Sequence, residues 1–108
     1  NIIVEKTSPF HVVYHEIGHV YHHLKAPNMF EKMGKLEELK RSGITDFSIL
    51  NEFNSKYQGI ARRVSDYATT SPAEFVAEVY AKMIDGKKFD NEIMGLYKKY
   101  AGPELPNM

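Results

Sequence analysis

Residues 11–23 read HVVYHEIGHVYHH and contain all five histidines of the 108-residue chain. Pro9 precedes the segment at a position typical of a first helical turn, and Pro27 follows it. We therefore predict one helix from about Pro9 to Lys25. Residues four apart lie on the same face of a helix. Four of the histidines have this spacing: His11, His15, His19 and His23.

One pair in this row fits a known pattern, because His15-Glu16-x-x-His19 is the H-E-x-x-H arrangement of zinc hydrolases. Two imidazoles one turn apart can bind Zn²⁺ through nitrogen. Glu16 is placed to take a proton from a zinc-bound water without being a ligand itself. The equivalent positions beside the other pairs are Val12 and Val20, so only this pair has a base. The alternative is a solvated helix face that is rich in histidine.

A catalytic zinc site usually takes three protein ligands. The position six residues after His19 is Lys25, which excludes the metzincin arrangement with a third histidine. Glu74 and Glu78 are better candidates, since they lie one turn apart on a helix that is predicted to begin after Ser71. One carboxylate could bind the metal while the other hydrogen-bonds a ligand histidine. Two alternatives stay open: Glu74 completes a Ser-x-x-Glu capping box, or Glu78 is solvated and faces a lysine one turn on.

The composition limits the classes of function. The net charge is zero, so the chain offers no broad basic surface for nucleic acid or an anionic membrane. No apolar run approaches the roughly 20 residues that span a bilayer. The chain has no cysteine, so any metal must be bound by His, Asp or Glu. The oligomeric state stays open.

Helical patterns cover most of the remaining chain. Further helices are predicted at about residues 28–41, 46–64, 72–85 and 91–100. Ile2–Val4 is β-prone and could form a short edge strand. We therefore expect one mainly α domain over residues 1–108, which could be a fragment of a longer chain. In this domain the histidine-rich helix packs against the helix that carries Glu74 and Glu78.

A second segment carries a resemblance. Residues 65–80 read SDYATTSPAEFVAEVY, and together with HEIGH at residues 15–19 they resemble the anthrax lethal-factor-like zinc metallopeptidases, whose relatives include the clostridial Pro-Pro endopeptidases. In that family an H-E-x-G-H helix is followed, several dozen residues later, by a Tyr and then by the Glu of an E-F-x-A-E run. Tyr67 and Glu74 match that step of seven residues. The resemblance covers about residues 11–85, and similar segments also resemble parts of some phage head-morphogenesis proteins.

The resemblance implies a zincin-like α+β fold and a zinc-dependent endopeptidase of the gluzincin type, with a peptide or protein as its partner. It implies three zinc ligands: His15, His19 and Glu74. It also implies Glu16 as general base, Tyr67 as the donor to the oxyanion, and Glu78 as a support for a ligand histidine. A secreted or phage-associated protein is favoured. One alternative function is a catalytically silent zinc-binding structural or assembly module, for example in a phage head. Another is a metal-free helical interaction domain, in which the three ligands would not converge.

Overall fold

A computed structural model describes residues 10–105, and within this range the chain is mainly helical and contains no strand. The α-helices are α1 His11–Lys25, α2 Pro27–Glu31, α3 Leu36–Arg41, α4 Ser48–Lys56, α5 Gln58–Arg62, α6 Pro72–Ile84 and α7 Asn91–Lys99, with a 3₁₀ turn at Tyr67–Thr69. The expectation of a mainly α fold is confirmed. The predicted edge strand at Ile2–Val4 and the helix start at Pro9 lie outside the described residues. None of the described helices is long and apolar enough to cross a membrane.

Helix α6 is the most buried helix and forms the centre of the fold. It begins where the sequence predicts, because Ser71 Oγ accepts the backbone N–H of Glu74 at 3.2 Å. The core packs around it. The rings of Phe53, Phe75 and Tyr100 meet there with centroids 6.1 to 6.5 Å apart. This central position gives the side chains of α6 a rigid support.

Helix α1 lies against α6, as expected from the sequence. A Cβ atom added at Gly18 would lie 3.1 Å from Tyr80 Cδ2, so the missing side chain lets the two helices approach closely. The ring of Tyr21 meets Tyr80 edge-on, with centroids 6.1 Å apart. At the end of α1, Lys25 Nζ donates a hydrogen bond to Gly102 O at 3.0 Å. This packing brings the histidines of α1 beside the glutamates of α6.

The prediction of a single helix at residues 28–41 is wrong, because the chain forms two helices, α2 and α3, with a break at residues 32–35. Met33 in this break is fully buried. Its carbonyl accepts the backbone N–H of Ala73 at 3.0 Å, which ties the break to the start of α6. The tertiary contact thus replaces a hydrogen bond that would have continued the helix.

The single helix predicted at residues 46–64 is also wrong, since α4 and α5 meet at Tyr57. Directly after the junction, Gln58 Nε2 donates to Thr69 O at 2.9 Å. This contact anchors the start of α5 to the 3₁₀ turn. The predicted helices at 72–85 and 91–100 agree with α6 and α7 to within one residue at each end.

Candidate metal centre

Helix α1 turns imidazoles inward and leaves aliphatic side chains outside. His15 and His22 are buried, whereas Val12, Val20 and Leu24 are more than half exposed. An ordinary amphipathic helix shows the reverse arrangement. Burying an imidazole costs free energy unless it gains hydrogen bonds, so an inward face of this kind points to a site rather than to simple core packing.

Three side chains converge between α1 and α6. His15 Nε2 lies 2.7 Å from Glu74 Oε1, and His19 Nε2 lies 3.0 Å from the same oxygen. All three ligand atoms lie within 4.8 Å of one another. Two imidazole nitrogens and one carboxylate oxygen are the donor set of many catalytic zinc sites. The chain therefore has a group that could hold a metal ion, and the separation required by a metal-free interaction domain is not observed.

Glu78 holds the other side of the His15 ring. His15 Nδ1–H donates to Glu78 Oε2 at 2.7 Å, which leaves Nε2 facing Glu74. His11 Nε2–H donates to the same oxygen of Glu78 at 2.9 Å, and the Ser65 hydroxyl donates to Oε1 at 2.9 Å. The Glu78 residue is only 5% exposed. A buried carboxylate with this contact fixes the orientation and tautomer of a ligand histidine.

A second group shares His15 with the first. The ligand atoms of His11, His15 and Glu78 also lie within 4.8 Å of one another. In this second group His15 would have to bind the metal ion through Nδ1. Its carboxylate ligand, Glu78, is buried. His19 and Glu74, in contrast, line an open pocket of about 540 Å³. A catalytic metal needs a side that substrate can reach, so we place the candidate metal centre at His15, His19 and Glu74.

The charges of this cluster shift its pKa values strongly. Burial alone would lower the pKa of His15, but hydrogen bonds and charge from Glu74 and Glu78 outweigh burial and raise it to about 9. Burial alone would raise the pKa of Glu78, yet hydrogen bonds from its three partners lower it to about 2. Against burial, hydrogen bonds from the two histidines hold the pKa of Glu74 well below its usual range. Without metal, His15 is thus an imidazolium between two carboxylates, and a bound metal ion would replace its Nε2 proton.

Glu16 and Tyr67 are both exposed, and the charge of Glu16 acts on Tyr67. Glu16 is exposed on α1, directly after His15. The ring of Tyr67 lies 5.5 Å from the ring of His15, centroid to centroid, and Tyr67 is 47% exposed. Burial, followed by the negative charges of Glu74, Glu78 and Glu16, raises the pKa of Tyr67. The phenol therefore stays protonated at neutral pH and can donate a hydrogen bond.

Glu74 takes part in the N-cap of α6, but among the described contacts its side chain does not complete the capping box by accepting the backbone N–H of Ser71. Its backbone N–H donates to Ser71 Oγ, whereas its carboxylate meets His15 and His19. A cap needs only the backbone N–H, so the side chain remains available for a metal. The alternative interpretation of Glu78 as a solvated residue is wrong, because Glu78 is buried against α1.

Sequence reasoning missed His11 and Ser65 as partners of Glu78. They lie 67 and 13 residues away from it along the chain. His11 belongs to the predicted histidine row, and Ser65 opens the second motif segment. Neither pattern specifies a contact with Glu78. Ser65 Oγ also accepts the backbone N–H of Ala68 at 3.1 Å, so it links the turn that carries Tyr67 to Glu78.

No protein-family model, curated protein or solved structure matches the chain. The resemblance of the two motif segments therefore stays a prediction.

Proposed function

We propose that the protein is a zinc-dependent endopeptidase with His15, His19 and Glu74 as the metal ligands. The observation that supports this function best is the convergence of the three ligand atoms within 4.8 Å. Glu16 follows His15 directly in the sequence and is exposed. Zinc is favoured over Ca²⁺ or Mg²⁺ because two of the three ligands are imidazole nitrogens. When bound, zinc would lower the pKa of a water molecule and polarise the carbonyl of the scissile bond.

The chain's own residues then have distinct roles. Glu16 is the general base: it takes a proton from the attacking water and returns it to the leaving amine. Tyr67 donates a hydrogen bond from its protonated phenol to the oxyanion that develops on the substrate. Glu78 holds the ring of His15 through Nδ1, which keeps Nε2 directed at the metal position.

The alternative function is a catalytically silent zinc-binding module in a larger assembly. It predicts bound zinc without turnover. A purely structural site needs no base and closes its fourth ligand position. Glu16 is present beside His15, and His19 and Glu74 line an open pocket. Both features favour the peptidase.

Incubation of the zinc-loaded chain with a peptide library tests the proposal. We expect cleavage that a chelator abolishes and added zinc restores. Glu16→Gln preserves size and should retain zinc, but lose at least about 100-fold in kcat because the base is removed. Glu37→Gln, an exposed change on α3, is the control and should keep full activity. Zinc binding without cleavage of any peptide would favour the silent module, and failure to bind zinc would reject both functions.

A further inference from the structure

We propose that the pocket beside the metal ligands binds a lysine or arginine side chain of the substrate. The inference rests on the proposed function, because that function makes the ligand a peptide. The charge preference of the pocket can be measured by binding alone. The pocket has a volume of about 540 Å³, and its lining includes His19 and Glu74. A peptide whose scissile bond lies at the metal would therefore have a neighbouring side chain within reach of the pocket.

Much of the pocket wall is apolar. Its apolar lining consists of Phe30, Leu39, Ile44 and Ala73. The ring of Phe30 also contacts the ring of His19 edge-on, with centroids 6.0 Å apart, so the apolar wall continues to the metal ligands. An apolar wall of this kind packs against the methylene groups of a long side chain.

Two carboxylates add negative charge to the same pocket. Glu31 and Glu38 both line it, and both are exposed. Glu38 is held in place, because its Oε1 accepts the backbone N–H of Lys35 at the start of α3, at 3.3 Å. A Cβ atom at Gly34 would lie only 2.9 Å from this oxygen, so the glycine leaves room for the carboxylate.

The described lining of the pocket contains no lysine or arginine to balance these charges. Nearby Lys35 places its Nζ over the ring of Tyr67 instead, 5.5 Å from the centroid. An ammonium or guanidinium group is complementary to such a pocket, whereas an acidic side chain would be repelled. Because Glu31 and Glu38 are exposed, each ion pair should contribute only roughly two- to fivefold in affinity.

Two capped pentapeptides measure this preference: acetyl-Ala-Ala-Lys-Ala-Ala-amide and its norleucine analogue, which has a similar aliphatic stem without the charge. Each is titrated into the ¹⁵N-labelled Glu16→Gln chain, with zinc and without it, so that turnover does not interfere. The backbone amides of Gly34 and Ile44 report on the pocket. We expect the lysine peptide to bind roughly three- to tenfold more tightly, with a preference that falls as salt is added.

The Glu38→Gln variant isolates the charge, since glutamine can keep the hydrogen bond to the start of α3. Glu37→Gln is the matched control, because Glu37 lies in the same helical turn but does not line the pocket. Glu38→Gln should reduce the preference for lysine roughly two- to fivefold, and Glu37→Gln should leave it unchanged.

Three results would overturn the pocket assignment: equal affinity for the two peptides, no saturable shift at Gly34 and Ile44, or equal effects of the two glutamine variants. Failure of the chain to bind zinc would instead reject the proposed function. The preference measured without zinc is independent of that outcome, so the two failures are distinguishable.

Discussion

His22 is expected to make the protein less stable as the pH falls below about 6.5. His22 is fully buried, and its Nε2–H donates a hydrogen bond to the Tyr100 carbonyl at 2.7 Å. Its Nδ1 is buried and has no hydrogen-bond partner among the described residues. Burial lowers the pKa of His22 from 6.5 to about 4, despite the opposing hydrogen bond to Tyr100. Protonation would place a buried charge on Nδ1 with no acceptor.

The sign and size of the effect follow from the two pKa values. The unfolded chain binds a proton at His22 below about pH 6.5, but the folded chain does so only below about pH 4. Unfolding therefore takes up a proton between these values, and acidification favours the unfolded state. Between pH 6.5 and 4.5 the free energy of unfolding should fall by about 2 kcal/mol.

The other strongly shifted groups of the site titrate mostly outside this window. The stabilisation from His15 is complete below pH 6.5 and is lost as the pH rises through about 9, because its folded pKa is raised. The stabilisation from Glu78 is present above about pH 4.5 and is lost as the pH falls through about 2, because its folded pKa is lowered. Most of the decline between pH 6.5 and 4.5 is therefore assigned to His22.

Urea unfolding of the metal-free chain, with chelator present, measures the decline. His22→Gln removes the titrating ring and keeps an N–H donor for the Tyr100 carbonyl. It should be less stable than the wild type at pH 6.5, yet lose much less stability on acidification. His23→Gln changes an exposed neighbour and should keep the wild-type pH dependence. Equal pH dependence in His22→Gln and the wild type would refute the reasoning.

Three further perturbations test the candidate site. Ser65→Ala removes a hydrogen bond to the Glu78 carboxylate and should weaken zinc binding about tenfold in a chelator competition. Ser65→Thr should restore the affinity. Wild-type affinity in Ser65→Ala would contradict a role of this hydrogen bond in zinc binding. Tyr67→Phe should lower kcat about 100-fold without changing the zinc content, since only the hydrogen-bond donor to the oxyanion is lost. An unchanged kcat would mean that Tyr67 does not stabilise the oxyanion. Gly18→Val adds a branched side chain at a position where even a Cβ would lie 3.1 Å from Tyr80. Urea unfolding should show that the free energy of unfolding falls by about 2 kcal/mol. Wild-type stability would mean that α1 and α6 can separate without cost.

Local signals were sufficient to predict the helices that carry the site. Ser71 marks the start of α6 because a cap acts within one helical turn. The spacing of His15 and His19 placed both rings on one face of α1, and both meet Glu74. The interpretation of these three residues as zinc ligands stays a prediction.

The features that the sequence did not predict depend on contacts between distant parts of the chain. The break between α2 and α3 is tied to a hydrogen bond from Ala73 to Met33, about forty residues away. The contacts of His11 and Ser65 with Glu78 likewise require α1, α6 and the connection before the 3₁₀ turn to be in place. Periodicity and capping describe single elements, so they cannot specify such contacts.

The metal content per chain tests the central claim most directly. Wild type, His19→Ala and His23→Ala are loaded with zinc, dialysed and measured by elemental analysis without an affinity tag. We expect about one zinc per chain in the wild type and in His23→Ala, whose exposed imidazole lies outside the ligand group, and almost none in His19→Ala. No retained zinc in the wild type, or the same content in His19→Ala, would contradict a metal centre at His15, His19 and Glu74.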